Sequence, residues 1–101
     1  MDGYNGMKVK RNDNAIWRVV DGEVIVLLPE GAMLHALTGC GSRIWELIEG
    51  ETSVVDIVQR IYDEYEVEPQ RATKDITEFI HKLATMKLVE IVPVAVEEAS
   101  H

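Results

Sequence analysis

A single cysteine, Cys40, stands among the 101 residues, so no internal disulfide can form and a cysteine-built zinc site has too few ligands. Histidine is nearly as sparse. His35, His81 and His101 lie far apart, in no H-x-x-x-H or H-E-x-x-H spacing that would put two ligands on one helical face, and no metal is expected. No run approaches the roughly 20 apolar residues that cross a bilayer. The N-terminal stretch MDGYNGMKVKR also lacks the apolar centre of a signal peptide, and the expectation is a cytoplasmic protein that does not enter the membrane. A nucleophile with an adjacent base, a phosphate-binding glycine loop and paired catalytic carboxylates are all missing, which points away from an enzyme and from any cofactor.

Basic residues are also in deficit. The net charge is -8, and it is uneven: residues 1 to 37 carry four basic and five acidic side chains, residues 38 to 101 six and thirteen. Such a field repels phosphate backbones and suits a neutral or basic partner, so no nucleic acid is expected. What the chain does have is 47% hydrophobic residues, enough for one compact domain with one core but not for two.

The hydrophobic pattern places strands first and helices after. AIWRVV (15 to 20) and EVIVLL (23 to 28) flank Asp21-Gly22, a pair that tolerates the positive φ angles of a type I′ turn, which predicts a tight hairpin. Pro29-Glu30-Gly31 interrupts before a third extended run, AMLHAL, at 32 to 37, making a three-stranded antiparallel meander. The second strand is apolar on both sides, Val24, Val26 and Leu28 on one and Ile25 and Leu27 on the other. Helices should cover one side; the other fits either a short central strand or a partner-binding surface.

From Thr38 the apolar period lengthens to that of helices. Ile44, Leu47 and Ile48, with Trp45 beside them, mark a short first helix ending near Gly50. Ser53 and Asp56 read as a capping-box start to a second helix with Val54, Ile57, Val58, Ile61 and Tyr65 inward. Pro69 opens a third, to about Met86, with Ala72, Ile76, Phe79, Ile80 and Leu83 inward and Arg71, Lys74, Asp75, Glu78 and Lys82 toward water. LVEIV at 88 to 92 fits a last short strand. The architecture expected is a winged-helix-like α+β domain over residues 15 to 92, after a partly flexible segment (1 to 14) and before a flexible tail (93 to 101).

The run LHALTGCGSRIWELIEGETSVVDIV resembles the signature of the PqqD family: a strand ending in leucine and a polar residue, a small-residue turn, Ile-Trp-Glu-Leu, then a glycine, a threonine and the second helix. The likeness extends over about 15 to 92, including EVIVLL, the Pro-Glu-Gly turn and the Glu-Pro start of helix three. It departs at Thr38, where family members commonly have asparagine, and at Gly39-Cys40-Gly41, whose glycines should loosen the entry to helix one. The resemblance implies a peptide chaperone, or RiPP recognition element, that binds the leader of a ribosomally made precursor peptide. Such domains work beside a radical SAM enzyme, a cyclase or a leader peptidase, in PQQ biosynthesis or a related pathway. It further implies that the leader adds as a strand to the edge Met33, Leu34, His35, Ala36 and Leu37, and rests against a helix-three wall of Thr73, Ile76, Thr77, Ile80 and Ala84.

Other residues read more plainly. Trp17 and Trp45 suit core packing, and Cys40 a tight turn rather than a nucleophile. His35 fits either a leader contact or a solvent-facing strand position, and Asp56, Asp63, Glu64 and Glu66 either a basic partner or a solvated helix face. The rival reading is a winged-helix DNA-binding regulator with helix three in a major groove, although that helix sums to only +1. Monomer and homodimer are both compatible with an unpaired edge strand.

Overall fold

The computed structural model describes residues 7–29 and 33–92. Along the chain come β1 (Lys8–Arg11), β2 (Ile16–Val20), β3 (Glu23–Leu28), β4 (Met33–Leu37), α1 (Cys40–Leu47), β5 (Thr52–Ser53), α2 (Val54–Tyr65), α3 (Pro69–Thr85) and β6 (Val89–Val92). The strands make two antiparallel sheets, β2-β3-β4 and β5-β1-β6. The expected meander, the three helices and the last short strand are present, in a mixed α+β arrangement. Glu30, Gly31 and Ala32 of the expected turn and strand start, and the tail from 93 to 101, lie outside the described residues.

The hairpin forms as its turn chemistry dictates. Asp21 and Gly22 take φ of 54° and 81°, and Val20 faces Glu23 across a two-residue turn. β3 sits centrally and buries Val24, Val26 and Leu28 on the helices. Against them pack Ile44, Trp45 and Ile48 around α1, Ile57 and Ile61 of α2, and Ile76, Ile80 and Leu83 of α3. On the opposite face of the sheet, Ile25 and Leu27 are half-buried while Ile16 and Leu34 are exposed; no helix among the described residues covers that face.

The second sheet was not legible in the sequence. β1 lies within the N-terminal segment set apart from the domain, yet its Val9 is fully buried and its backbone pairs from Lys8↔Val92 to Arg11↔Val89 with β6 and through Val9↔Thr52 with β5. The same segment also replaces the expected capping box. Ser53 makes no side-chain cap bond; instead the Val54 N–H, one of the donors a helix start leaves over, is accepted by Met7 O at 3.0 Å.

Arg11 joins the two sheets. Its Nη2 donates to Trp45 O at 2.7 Å and Glu46 O at 3.2 Å, and its Nε to Trp45 O at 3.1 Å, so one guanidinium caps the carbonyls at the end of α1, Trp45 O also accepting from the Ile48 N–H at 3.2 Å. The same group stands 4.4 Å from the centre of the Trp17 ring and 5.4 Å from that of Trp45, the two rings meeting edge to face at 5.9 Å. Burial lowers its pKa, against which Glu49 and Glu46 act, and an arginine remains charged through such a shift. Replacing Arg11 with alanine removes charge-assisted bonds and cation-π contacts together. Urea unfolding followed by tryptophan fluorescence should show a loss of about 3 kcal/mol; a loss below about 1 kcal/mol would contradict the bridging role.

Candidate functional site

The alternation of an antiparallel ladder determines which backbone groups of β4 are free. The residues flanking a two-residue hairpin turn form a hydrogen-bonded pair, and bonded and non-bonded pairs then alternate. Val20↔Glu23, Arg18↔Ile25 and Ile16↔Leu27 are therefore the bonded pairs between β2 and β3, which leaves Val24, Val26 and Leu28 to bond with β4. Their partners are Leu37, His35 and Met33. Leu34 and Ala36 thus direct their N–H and C=O groups away from β3, and β4 has no second neighbour in its sheet among the described residues. Both residues are exposed, Leu34 to 66%.

Beside this edge runs a groove of about 590 Å³. One bank is β4 and its continuation, His35 to Thr38 with Cys40 and Gly41; the other is α3, through Asp75, Ile76, Phe79 and Lys82, with Met86 just beyond. Ile44 lies between them. A second cavity of about 450 Å³ shares Cys40, Asp75 and Ile76 with the first and extends past Ile61, Tyr65, Val67 and Ala72 toward the start of α3. The two form one trough along α3, lined mostly by apolar side chains.

Local structure keeps the trough open at a set width. Gly39 takes φ of 58° at the start of α1, Thr38 O accepts from Gly41 N at 3.0 Å, and the Ser42 hydroxyl lies 2.9 Å from Gly39 O and 3.3 Å from Gly22 O. The glycine-rich entry is therefore tied to the hairpin turn, not loosened. Gly41 has a second role, because a Cβ there would come within 2.9 Å of the Phe79 ring. The missing side chain lets α1 and α3 approach with Phe79 as the groove's aromatic surface.

Of the residues the resemblance assigned to the site, the structure brings His35, Ala36, Leu37 and Ile76 to the groove lining, with Met33 and Leu34 on the same exposed strand. Thr73, Thr77, Ile80 and Ala84 do not line it. At 3.6 residues per turn they lie roughly 160° around the helix from Asp75, Phe79, Lys82 and Met86. The buried seam of Ala72, Ile76 and Leu83 separates the two flanks. Ile80 is fully buried, and the two threonine hydroxyls bond back onto their own helix, Thr73 to Pro69 O and Thr77 to Thr73 O, both at 2.9 Å. The residues missed were Phe79 and Met86, apolar side chains half-buried beside the seam, whose spacing from Ile76 would have marked this flank.

The remaining candidates have structural roles. Burial, then Asp75 and Glu64, push the Cys40 pKa up, so at neutral pH it is a thiol in the trough wall and not a thiolate nucleophile. Glu64 is held by Arg43 of α1 in a two-bond pair at 2.9 and 2.8 Å, which also lowers its pKa, and Asp63 accepts from Gln59 at 3.2 Å. Among the described residues no group of acidic, histidine or cysteine side chains could hold a metal ion. None of the described helices is long and apolar enough to cross a membrane.

An α+β domain with an open sheet edge beside an apolar helix groove is the architecture of a strand-capturing peptide binder. The family model for coenzyme PQQ synthesis protein D (PqqD) matches residues 23–89, and the chain belongs to that family. The structure superposes on TbiB1, solved in complex with the TbiA(beta) leader peptide, with a TM-score of 0.76 at 32% identity, covering 80% of this chain and 94% of that one. It also superposes on a lasso peptide synthetase B1, likewise complexed with its leader peptide, with a TM-score of 0.71 at 22% identity, covering 81% of this chain and 96% of that one. None of the curated proteins compared matches the chain.

Gly41→Val should displace Phe79. The Phe79 ring resonances are expected to move and the groove to narrow, with unfolding free energy falling by roughly 1 to 3 kcal/mol from overpacking. Unchanged Phe79 resonances in the variant would contradict the close approach.

Proposed function

We propose that this domain captures the leader of a ribosomally made precursor peptide as an added strand on β4 and presents it to a peptide-modifying enzyme. The observation that carries the reading is the outward-facing backbone of Leu34 and Ala36 on the strand that forms one bank of the apolar trough. An antiparallel leader strand would exchange up to four backbone bonds with them. Its residue opposite His35 would then point toward α3, since His35 is on the face of the sheet that carries Val26 and Leu37.

Magnitudes say how such a segment is held. Four hydrogen bonds at roughly 0.5 to 1.5 kcal/mol net compare with an ordering cost of roughly 1 to 2 kcal/mol per leader residue, so the ladder alone does not bind. Each apolar leader side chain buried on Ile44, Phe79 and Met86 adds roughly 1.5 to 3 kcal/mol. Affinity therefore resides in the groove, and orientation in the edge.

In this reading the domain catalyses nothing itself and works in the cytoplasm beside a radical SAM enzyme, a cyclase or a leader peptidase, in PQQ formation or the maturation of a related peptide. It acts as a monomer, or as a homodimer whose edges part for the leader. Family membership and the two leader-bound structural neighbours support it. The DNA-binding alternative finds no such support: Arg71, one of the few cations of α3, is engaged with Asp75 at 3.3 Å, and the exposed flank beside β4 is apolar and acidic as well as basic.

Titration with the leader of the precursor encoded beside this gene should perturb the amides of Leu34 and Ala36 and of α3 around Phe79 and Met86. Perturbation confined to the β1 sheet would overturn the placement. Leu34→Pro removes an outward N–H that the β3 ladder does not use, so the fold should survive while leader affinity falls about tenfold. Unchanged affinity in the folded variant would count against strand addition at β4.

A further inference from the structure

Strand addition on β4 leaves one problem unsolved. The outward groups of Leu34 and Ala36 repeat every two residues, and so do the leader side chains that face the groove, so a slip of two residues keeps the bonding pattern and the face turned to the groove. Register is then set by side chains of the leader that differ from position to position.

Two side chains on the lining carry a full charge, Asp75 and Lys82, beside the polar groups of His35, Thr38 and Cys40. Asp75 is already answered by Arg71, one turn earlier on α3. Lys82 is not. Its ammonium has no hydrogen-bond or ion-pair partner among the described residues, even though Glu78 stands one turn before it, outside the groove lining. Seven residues, two turns or about 10 Å of helix, separate Asp75 from Lys82, so the groove has a neutralised end and a positive end. Lys82 lines the same groove as the apolar side chains of Phe79 and Met86. Glu78 is within one turn of Lys82 but forms no ion pair with it, and acidic residues more than about 8 Å away are largely screened at physiological salt.

Resting on the capture reading above, we infer that Lys82 selects leaders carrying an aspartate or glutamate within the captured segment, and that this one pairing fixes the register of the leader on β4. A composition count of the chain favours a basic or neutral partner; the groove itself favours a segment with aliphatic residues in alternation and a carboxylate at one position. Lys82 is exposed and contributes nothing to the core, so its charge can be changed without unmaking the fold.

Selection of short random displayed peptides on three forms of the protein, wild type, Lys82→Glu and Lys82→Met, tests this. Wild type is expected to enrich an acidic residue at one fixed offset from the alternating aliphatic positions. Lys82→Glu should enrich lysine or arginine at that same offset, and Lys82→Met should keep the aliphatic positions and lose the charged one. A peptide selected on wild type should bind Lys82→Glu about fivefold more weakly. Aliphatic enrichment without a fixed acid, or an acid that persists on Lys82→Glu, overturns the inference and leaves peptide capture standing. Enrichment of no common sequence on wild type overturns both.

Discussion

The outward N–H and C=O groups of Leu34 and Ala36 are the constraint around which this domain is built. Backbone polar groups require partners, and at a strand edge those partners are water or another chain. Natural domains blunt such edges with charge, proline or a covering element. Here the outward-bonding residues are leucine and alanine, and the strand faces an apolar trough instead of a cover. In the capture reading proposed above, such an edge takes up a strand and the helix beside it selects which one.

Keeping an edge open next to an apolar groove requires that the rest of the molecule not close over it. Three devices serve that end. Gly41 admits the Phe79 ring, so α1 and α3 are packed to a definite separation. The Arg43–Glu64 pair ties α1 to α2 on the far side. Arg11 reaches from β1 to the last carbonyls of α1 and lies on both tryptophans, which anchors α1 to the second sheet. Phe79 thus serves both the groove surface and the packing of α1 on α3, while Arg11 and the Arg43–Glu64 pair hold the frame from outside the groove.

Much of this was legible in the residues, and the misses have physical causes. Asp21-Gly22 announced its turn because few pairs tolerate two positive φ angles, and Pro69 its helix start because a first-turn proline loses nothing. β1 was hidden: Lys8-Val9-Lys10-Arg11 reads as a charged stretch, and only its pairing with β6, in which Val9 faces Ile91, turns Val9 into core. Of the residues expected at the site, His35, Ala36, Leu37 and Ile76 line the groove, whereas Thr73, Thr77, Ile80 and Ala84 lie on the other flank of α3. Amphipathic periodicity defines a buried seam and is symmetrical about it; the handedness with which α3 crosses the sheet, a tertiary property, decides that Phe79 and Met86 face β4 while Thr73 and Thr77 do not. Arg11 could not be foreseen either, since its carbonyl acceptors lie 34 and 35 residues away.

Amide hydrogen exchange resolved by residue tests the central claim most directly. In the free protein Met33, His35 and Leu37 should be protected by their bonds to β3 while Leu34 and Ala36 exchange freely, and adding the leader should protect those two and leave the other three as they were. Protection of Leu34 and Ala36 before any leader is added, or free exchange of both in the saturated complex, would contradict it.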